Sequence, residues 1–156
     1  MVIMKIKNTQ KFVLFFYIFS VVFLFFGCDN ATKKNTKNNK CVHCGMNTEK
    51  YQQWIGVIKS KEKIEKTCSP RCLLLVCMRN KEKLNADLSL KDYYEQTKID
   101  AKKTFFVVGS KILGPMGNDF IPFKTKKDAE IFLQDNQGKK ILFFDEISVK
   151  TIIEYQ

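Results

Sequence analysis

The sequence predicts an α+β fold built from two small related halves, each ordered strand, strand, helix, strand. After residue 40, short stretches with the two-residue period of β-strands alternate with two stretches of helical period. This order occurs twice, over residues of about 41–100 and 101–156, although the fourth element of the first half is weakly marked. The residues before this domain instead have the composition of a targeting segment followed by a linker.

The N-terminus has the layout of a bacterial export signal. Three lysines and no acid precede an uncharged apolar run at residues 12–27, and Gly27 precedes Cys28. The run FFGC resembles the lipobox at which bacterial lipoproteins are cleaved and lipidated, so we expect residues 1–27 to be a signal peptide and Cys28 to carry the lipid. The alternative is an uncleaved membrane anchor, but residues 12–28 as a helix would extend only about 25 Å against a hydrocarbon core of about 30 Å.

A polar linker follows the predicted lipid site. Residues 29–40 have the sequence DNATKKNTKNNK, which contains no large apolar residue. Such a segment cannot bury a hydrophobic core, so we expect residues 28–40 to form the lipidated cysteine and a flexible tether. The folded, metal-binding domain is then predicted to comprise residues 41–156.

The charge of the chain is positive but dispersed. The formal net charge is +11, and removal of the signal peptide would leave about +8. The lysines are scattered, Arg71 and Arg79 are the only arginines, and no nucleic-acid-binding motif accompanies them. We therefore expect a solvated surface beside anionic lipid rather than nucleic-acid binding, in an exported lipoprotein at the periplasmic face of a bacterial membrane.

The first half begins with two predicted strands. The stretches QWIGVIKS and EKIEKTC alternate apolar and polar residues on either side of a short charged turn. In the next stretch, CSPRCLLLVCMRN, Ser69 can cap a helix that has Pro70 at its first position. Leu73, Val76 and Cys77 would then share an apolar face, so we interpret Cys77 as a small buried hydrophobe rather than a ligand.

The second half repeats this order. Residues 104–112, TFFVVGSKI, predict a buried strand, and FIPF predicts a short one. In TKKDAEIFLQDNQG, Thr125 and Asp128 form a helix start that resembles a capping box, and Gly138 marks the end of the helix. The stretch KKILFFDEI predicts the final strand.

Four cysteines form the clearest functional pattern in the chain: Cys41-x2-Cys44, 23 intervening residues, and then Cys68-x3-Cys72. A C-x-x-C spacing lets two thiolates reach one ion across a tight turn, for which Gly45 provides the backbone freedom. The second pair would lie at a strand end and in the first turn of a helix, where the helix N-terminus favours thiolate. The pattern predicts a metal site. Disulfides are the main alternative, although the odd number of cysteines left after Cys28 suits a disulfide framework poorly.

The softness of the available ligands indicates which metal would bind. Four thiolates would satisfy zinc without further ligands. His43 and Met46, however, lie in the same CVHCGM stretch, and Met116 lies in GPMG. Thioether ligands favour copper(I), so the two methionines point to copper. The alternative for Met116 is a core methionine, but its GPMG context predicts a turn.

These motifs resemble those of a known family. CVHCGM, CSPRC, FFVVGSKILGPMG, IPF, DAEIF and ILFFDEI occur in the order found in NosL, the nitrous-oxide-reductase accessory lipoproteins, over nearly all of residues 41–147. The resemblance implies two related α+β halves similar to the organomercurial lyase, and a copper(I)-binding periplasmic protein. It also implies a protein that helps to load the copper sites of nitrous oxide reductase, with a membrane transporter complex as its partner.

The resemblance also implies roles for single residues. The core copper(I) ligands that it implies lie in CGM and GPMG: Cys44, Met46 and Met116. Cys41 and His43 would complete the coordination shell or pass the ion onward. Cys68 and Cys72 would join them if all four thiolates bind one ion, as in the heavy-metal knuckles of the TRASH type, which this pairing also resembles. The sequence leaves open whether there is one shared site or two.

Two other functions are compatible with the motifs. A thiol-disulfide oxidoreductase also uses C-x-x-C outside the cytoplasm, but it places the motif at the start of a helix, whereas Gly45 and the polar residues after it indicate a loop. A zinc-binding four-cysteine knuckle module is the second alternative. We expect no enzyme related to organomercurial lyase, because nothing beyond the cysteines suggests a proton-donating carboxylate beside them.

Overall fold

The structure, a computed structural model, describes residues 39–156. The predicted signal peptide, the lipid site at Cys28 and the tether as far as residue 38 lie outside the described residues. In the described part of the chain, no helix combines the length and the apolar character needed to cross a membrane.

The described chain begins with the last two residues of the predicted tether. Lys40 forms an isolated antiparallel bridge with Asn47. The Asn39 carbonyl accepts the backbone N–H of Thr48 at 2.7 Å and the Thr48 hydroxyl at 3.0 Å. These contacts attach the start of the domain to the loop that follows the CVHCGM motif.

The first half contains a four-stranded antiparallel sheet. Its elements are β1 (Gly56–Lys59), β2 (Ile64–Thr67), α1 (Pro70–Arg79), α2 (Lys81–Leu84), β3 (Asp87–Lys91) and β4 (Lys98–Asp100). The strand order is β2-β1-β3-β4. A 3-10 turn at Thr48–Tyr51 precedes β1, and another at Ala101–Lys103 follows β4.

The second half contains a three-stranded antiparallel sheet and a separate two-stranded hairpin. Its elements are β5 (Phe105–Val108), β6 (Leu113–Gly114), β7 (Gly117–Asn118), β8 (Ile121–Phe123), α3 (Lys126–Asp135), β9 (Lys140–Phe143) and α4 (Val149–Glu154). The sheet has the strand order β8-β5-β9, and the hairpin consists of β6 and β7. Neither the hairpin nor the C-terminal helix α4 was predicted from the sequence.

Both halves have the same topology, which confirms the predicted α+β fold with two related halves. In each half, the first strand lies in the sheet interior. The second strand of the motif pairs with one edge of the first strand, and the strand after the helix pairs with the other edge of the first strand. Because the second strand already occupies one edge, the strand after the helix reaches the first strand only at its free edge. The expected similarity to the organomercurial lyase stays a prediction.

Helix α1 begins as predicted, but it is buried on more sides than expected. The Ser69 hydroxyl accepts the Cys72 N–H at 3.3 Å, and Pro70 is the first helical residue. Leu74, which is outside the predicted apolar face, is fully buried. Cys77 is also fully buried, as predicted for a small hydrophobe, and burial raises the pKa of its thiol to about 11. Helix α1 is buried on several sides because it packs in one hydrophobic cluster with side chains from both sheets: Ile58, Leu88, Leu90, Phe106, Val108 and Leu142.

The predicted end of the second helix is wrong. Helix α3 ends at Asp135, and Gln137, not a glycine, takes the left-handed conformation with a φ of 54°. Gly138 donates its N–H to the Leu133 carbonyl at 2.8 Å, and a Cβ atom at Gly138 would lie 2.6 Å from Cγ1 of Val107. The glycine is therefore required because helix and sheet approach closely here, not because the chain turns.

The strand predicted at residues 104–112 is also shorter than expected. Strand β5 ends at Val108, because Gly109 turns the chain with a φ of 70°. Within β5, Phe106 and Val108 face the cluster around α1, whereas Val107 packs in a second cluster with residues of α3. Residues 109–112, which do not belong to the strand, lead into the β6–β7 hairpin, and this hairpin extends to the functional site.

Candidate metal centre

Four cysteine sulfurs converge beside the start of helix α1. The Sγ atoms of these residues lie within 4.8 Å of one another: Cys41, Cys44, Cys68 and Cys72. The Sγ–Sγ distance is 3.5 Å between Cys44 and Cys68, and 3.7 Å between Cys68 and Cys72. All four are free thiols. The two pairs recognised in the sequence therefore meet in one cluster.

The first pair is held by a tight turn. The Cys41 N–H donates to the Met46 carbonyl at 2.8 Å, and the Gly45 N–H donates to the Cys41 carbonyl at 2.9 Å. Gly45 has a φ of 78°, a conformation that side chains rarely adopt. The Val42 N–H donates to the Lys66 carbonyl at 3.0 Å, which attaches the turn to strand β2. This attachment brings the CVHCGM stretch next to the second cysteine pair.

The second pair lies where strand β2 passes into helix α1. Cys68 follows the last residue of β2, and Cys72 occupies the first turn of α1, where the Ser69 hydroxyl accepts its N–H. Both thiols are fully buried, Cys41 is 3% exposed, and Cys44 is only half-buried. An ion bound here would therefore be accessible from the side of Cys44.

The thiols of the cluster do not ionise equally. The neighbouring Cys72 thiol, together with backbone N–H groups, outweighs burial and lowers the pKa of Cys41 to about 4. The neighbouring Cys41 raises the pKa of Cys72 in turn, and burial raises the pKa of Cys68 to about 12. Cys41 thus ionises more readily than Cys68 or Cys72. A bound cation would displace the protons of the thiols that bind it.

The β6–β7 hairpin brings Met116 to the cluster. The Sδ atom of Met116 lies 3.4 Å from Sγ of Cys72. Pro115 and Met116 form the loop between the paired residues Gly114 and Gly117, and Gly117 has a φ of 90°, which favours glycine. The Met116 side chain is 37% exposed. It therefore faces both the cysteines and the solvent.

The other two predicted ligands are placed differently. Met46 is half-buried and packs against the buried cysteines of the cluster. His43 is exposed, and its ring nitrogens are not among the ligand atoms that lie within 4.8 Å of one another. Its backbone N–H, in contrast, faces the sulfur of Cys41. The structure thus brings both methionines to the cysteines and leaves the imidazole at the surface.

Two residues beside the cluster were not identified as site residues from the sequence. Arg71 is buried, and its Nη2 atom donates to the Met116 carbonyl at 2.8 Å. The Arg71 backbone N–H donates to Oδ1 of Asp119 at 2.8 Å, and burial raises the pKa of this carboxyl to about 6. Arg71 carries a weak signal, because it is one of two arginines in a lysine-rich chain and lies inside CSPRC. Nothing in the sequence distinguishes Asp119 from the other acids.

The donor set determines which ions suit the site. Four thiols suit zinc or copper(I), and a thioether adds a preference for copper(I). Cys68 and Cys72 hold the buried side of the cluster, whereas Cys44 and Met116 are partly exposed. The arrangement can therefore bind a soft ion from within the domain and leave one side open to an incoming ligand.

Known proteins resemble this chain in sequence and in fold. The family model described as NosL matches residues 32–152. The chain is similar to the crystal structure of the copper chaperone NosL from Shewanella denitrificans, with 29% identity, a TM-score of 0.61, and coverage of 71% of this chain and 90% of that chain. No curated protein matches the sequence. The match over most of the chain shows that this protein belongs to the NosL family.

Proposed function

We propose that this protein is a membrane-tethered copper(I) chaperone that assists maturation of the copper sites of nitrous oxide reductase. The observation that carries the proposal is the thioether of Met116, 3.4 Å from the Cys72 sulfur at the edge of the four-cysteine cluster. Membership of the NosL family and likeness to the copper chaperone from Shewanella denitrificans support it.

Copper(I) fits the ligand set better than zinc does. Four thiolates complete the tetrahedral shell of zinc and leave no role for a methionine. Copper(I) accepts thioethers and low coordination numbers, so it can use Met116 together with some of the cysteines. A zinc-binding four-cysteine module is the competing function, because the cluster alone would satisfy that ion.

Transfer requires that the bound ion can be reached. Cys44 and Met116 are partly exposed, so a ligand from a partner can approach the ion while Cys68 and Cys72 still hold it. A lipid at Cys28 and a flexible tether would keep the domain near a membrane transporter complex and raise its effective concentration there. These features suit a protein that carries copper to the reductase rather than one that stores it.

A thiol-disulfide oxidoreductase is less well supported. In that class the C-x-x-C motif opens a helix, which activates the first thiolate. Here the motif lies in a turn that is closed by the Gly45 N–H, and the next 3-10 turn begins only at Thr48. We expect the purified protein to leave a protein disulfide substrate oxidised, and substantial turnover in that assay would favour the redox function.

The proposal is tested by the metal affinity of methionine variants. Competition with a copper(I) chelator under reducing, anaerobic conditions should show binding that Met116→Leu and Met46→Leu each weaken by at least about tenfold. Met78→Leu is the matched control, because Met78 lies on α1 but packs against the main hydrophobic cluster. Zinc affinity should not change in any of these variants. Unchanged copper(I) affinity in the double methionine variant would leave the zinc module as the better function.

The destination of the copper needs a separate test. Copper-loaded full-length protein would be mixed with apo nitrous oxide reductase and membranes that contain the transporter complex. We expect copper to appear in the reductase only with the loaded protein, as measured by metal analysis after separation. Equal loading by free copper(I) held on a chelator of matched affinity would contradict a specific delivery role.

A further inference from the structure

The β6–β7 hairpin that carries Met116 is too small to hold its own position. Each strand has two residues, and the pairing is limited to Leu113 with Asn118 and Gly114 with Gly117. A two-stranded hairpin of this length is not stable alone in water. Contacts to the rest of the domain must therefore keep the thioether beside the cysteines.

Arg71 makes one of these contacts from the cysteine side. Its Nη2 atom donates to the Met116 carbonyl at 2.8 Å, although the two residues are 45 positions apart in the chain. Arg71 immediately precedes Cys72 in the first turn of α1, and its side chain is 8% exposed. One residue therefore connects the backbone of a cysteine ligand to the loop of a methionine ligand.

Asp119, which follows β7, makes a second contact between the hairpin and α1. Its Oδ1 atom accepts the Arg71 N–H at 2.8 Å and the Phe120 N–H at 2.9 Å. The carboxylate is 2% exposed, and it packs so closely on the hairpin that a Cβ atom at Gly114 would lie 2.4 Å from Oδ2. The hairpin segment and the start of α1 are thus joined by two hydrogen bonds. The Arg71 side chain makes one to Met116, and the Arg71 backbone N–H makes the other to Asp119.

We propose that Arg71 is a positioning residue of the metal centre. Asp119 holds Arg71 in place, and Arg71 in turn presents the Met116 thioether to an ion bound at Cys72. This inference rests on the proposed copper(I)-binding function and adds to it the residue that controls methionine ligation. An arginine suits this role because its planar, always charged fork donates in a fixed geometry, whereas a lysine donates from a flexible stem. Loss of the hydrogen bond would free the hairpin without removing any sulfur ligand.

The test is a double-variant cycle on the full chain. Arg71→Gln keeps a polar side chain but is too short to reach the Met116 carbonyl, and it should weaken copper(I) binding by about tenfold, as supporting residues of metal sites typically do. In the Met116→Leu background the same substitution should cause no further loss. An equal loss in both backgrounds would overturn the proposal, since Arg71 would then act through the fold or the cysteines. Retained affinity in folded Arg71→Gln would overturn it as well.

A spectroscopic measurement follows the methionine directly. In selenomethionine protein with Met46→Leu, copper K-edge absorption should show a copper–selenium contact, and Arg71→Gln should remove it. Arg79→Gln is the matched control, because Arg79 lies at the exposed end of the same helix and should leave the contact intact. A contact that survives Arg71→Gln would overturn the proposal.

Folding is monitored by thermal unfolding of each metal-free variant. If Arg71→Gln fails to fold, Arg71→Lys decides by the same absorption signal. A weakened selenium contact in that variant supports the proposal, and an undiminished one overturns it. Absence of copper(I) binding in the unsubstituted protein would instead overturn the proposed function, so the two failures are distinguishable.

Discussion

The two halves of the domain share a strand order but differ in the connection between their first two strands. In the first half, residues 60–63 form a short turn that is closed by the Ser60 N–H and the Lys63 carbonyl at 3.0 Å. In the second half, residues 109–120 fill the same position and contain the β6–β7 hairpin with Met116. The two halves thus share a topology, while the longer loop of the second half places a thioether beside the cysteines, as expected when function resides in loops.

The helices of the two halves also begin alike and then differ. Ser69 caps α1 by accepting the Cys72 N–H, and Thr125 caps α3 by accepting the Asp128 N–H. At the same third position, α1 carries the buried thiol of Cys72, whereas α3 carries the carboxylate of Asp128, which accepts a hydrogen bond from the Thr125 hydroxyl. Equivalent local geometry therefore holds a thiol of the cysteine cluster in one half and a carboxylate that supports the helix cap in the other.

The largest difference between the helices should appear in stability. Leu74 on α1 is fully buried between both sheets, whereas Ile131 on α3 is 43% exposed. Leu74→Ala should lower the free energy of unfolding of the metal-free protein by about 2–5 kcal/mol, and Ile131→Ala should change it by less than about 0.5 kcal/mol. Urea unfolding measures both. Similar losses would mean that the two helices contribute equally to the core.

Substitutions at the third helical position should affect copper(I) affinity in the first half but not in the second. Cys72→Ser should weaken copper(I) binding by about 100-fold, about 2.7 kcal/mol, because it removes a buried ligand that a hydroxyl cannot replace. Asp128→Ser, at the matched position of α3, should leave the affinity unchanged. Chelator competition gives both values. A comparable loss in the two variants would show that affinity depends on overall stability rather than on the cluster.

The helix caps provide the smallest and sharpest comparison. Ser69→Ala and Thr125→Ala should each destabilise the protein by about 1 kcal/mol, because each leaves a helix N–H without its acceptor. Only Ser69→Ala should also weaken copper(I) binding, by a few-fold, since the lost bond holds the backbone of Cys72. A matching loss of affinity in Thr125→Ala would contradict this distinction.

Local patterns predicted much of this structure correctly. Ser69 with Pro70 marked the start of α1, and the spacing of the four cysteines indicated that their thiols come together. Gly138 was misread, because a glycine after a helix usually turns the chain, whereas this one admits the close approach of Val107. This packing requirement comes from a residue 31 positions away, so the sequence around Gly138 carries no sign of it.

The sequence alone determined the candidate ligands, since residue type decides which atoms can bind a soft ion. It also determined the turn at Gly45 and the two-fold order of elements. Tertiary structure decided which ligands meet. It gathered four thiols within 4.8 Å, left the His43 ring outside, and set the Met116 sulfur against Cys72 through Arg71 and Asp119. The physical reason is separation along the chain: spacing controls contacts within a turn or a helix, but contacts between halves depend on how the whole core packs.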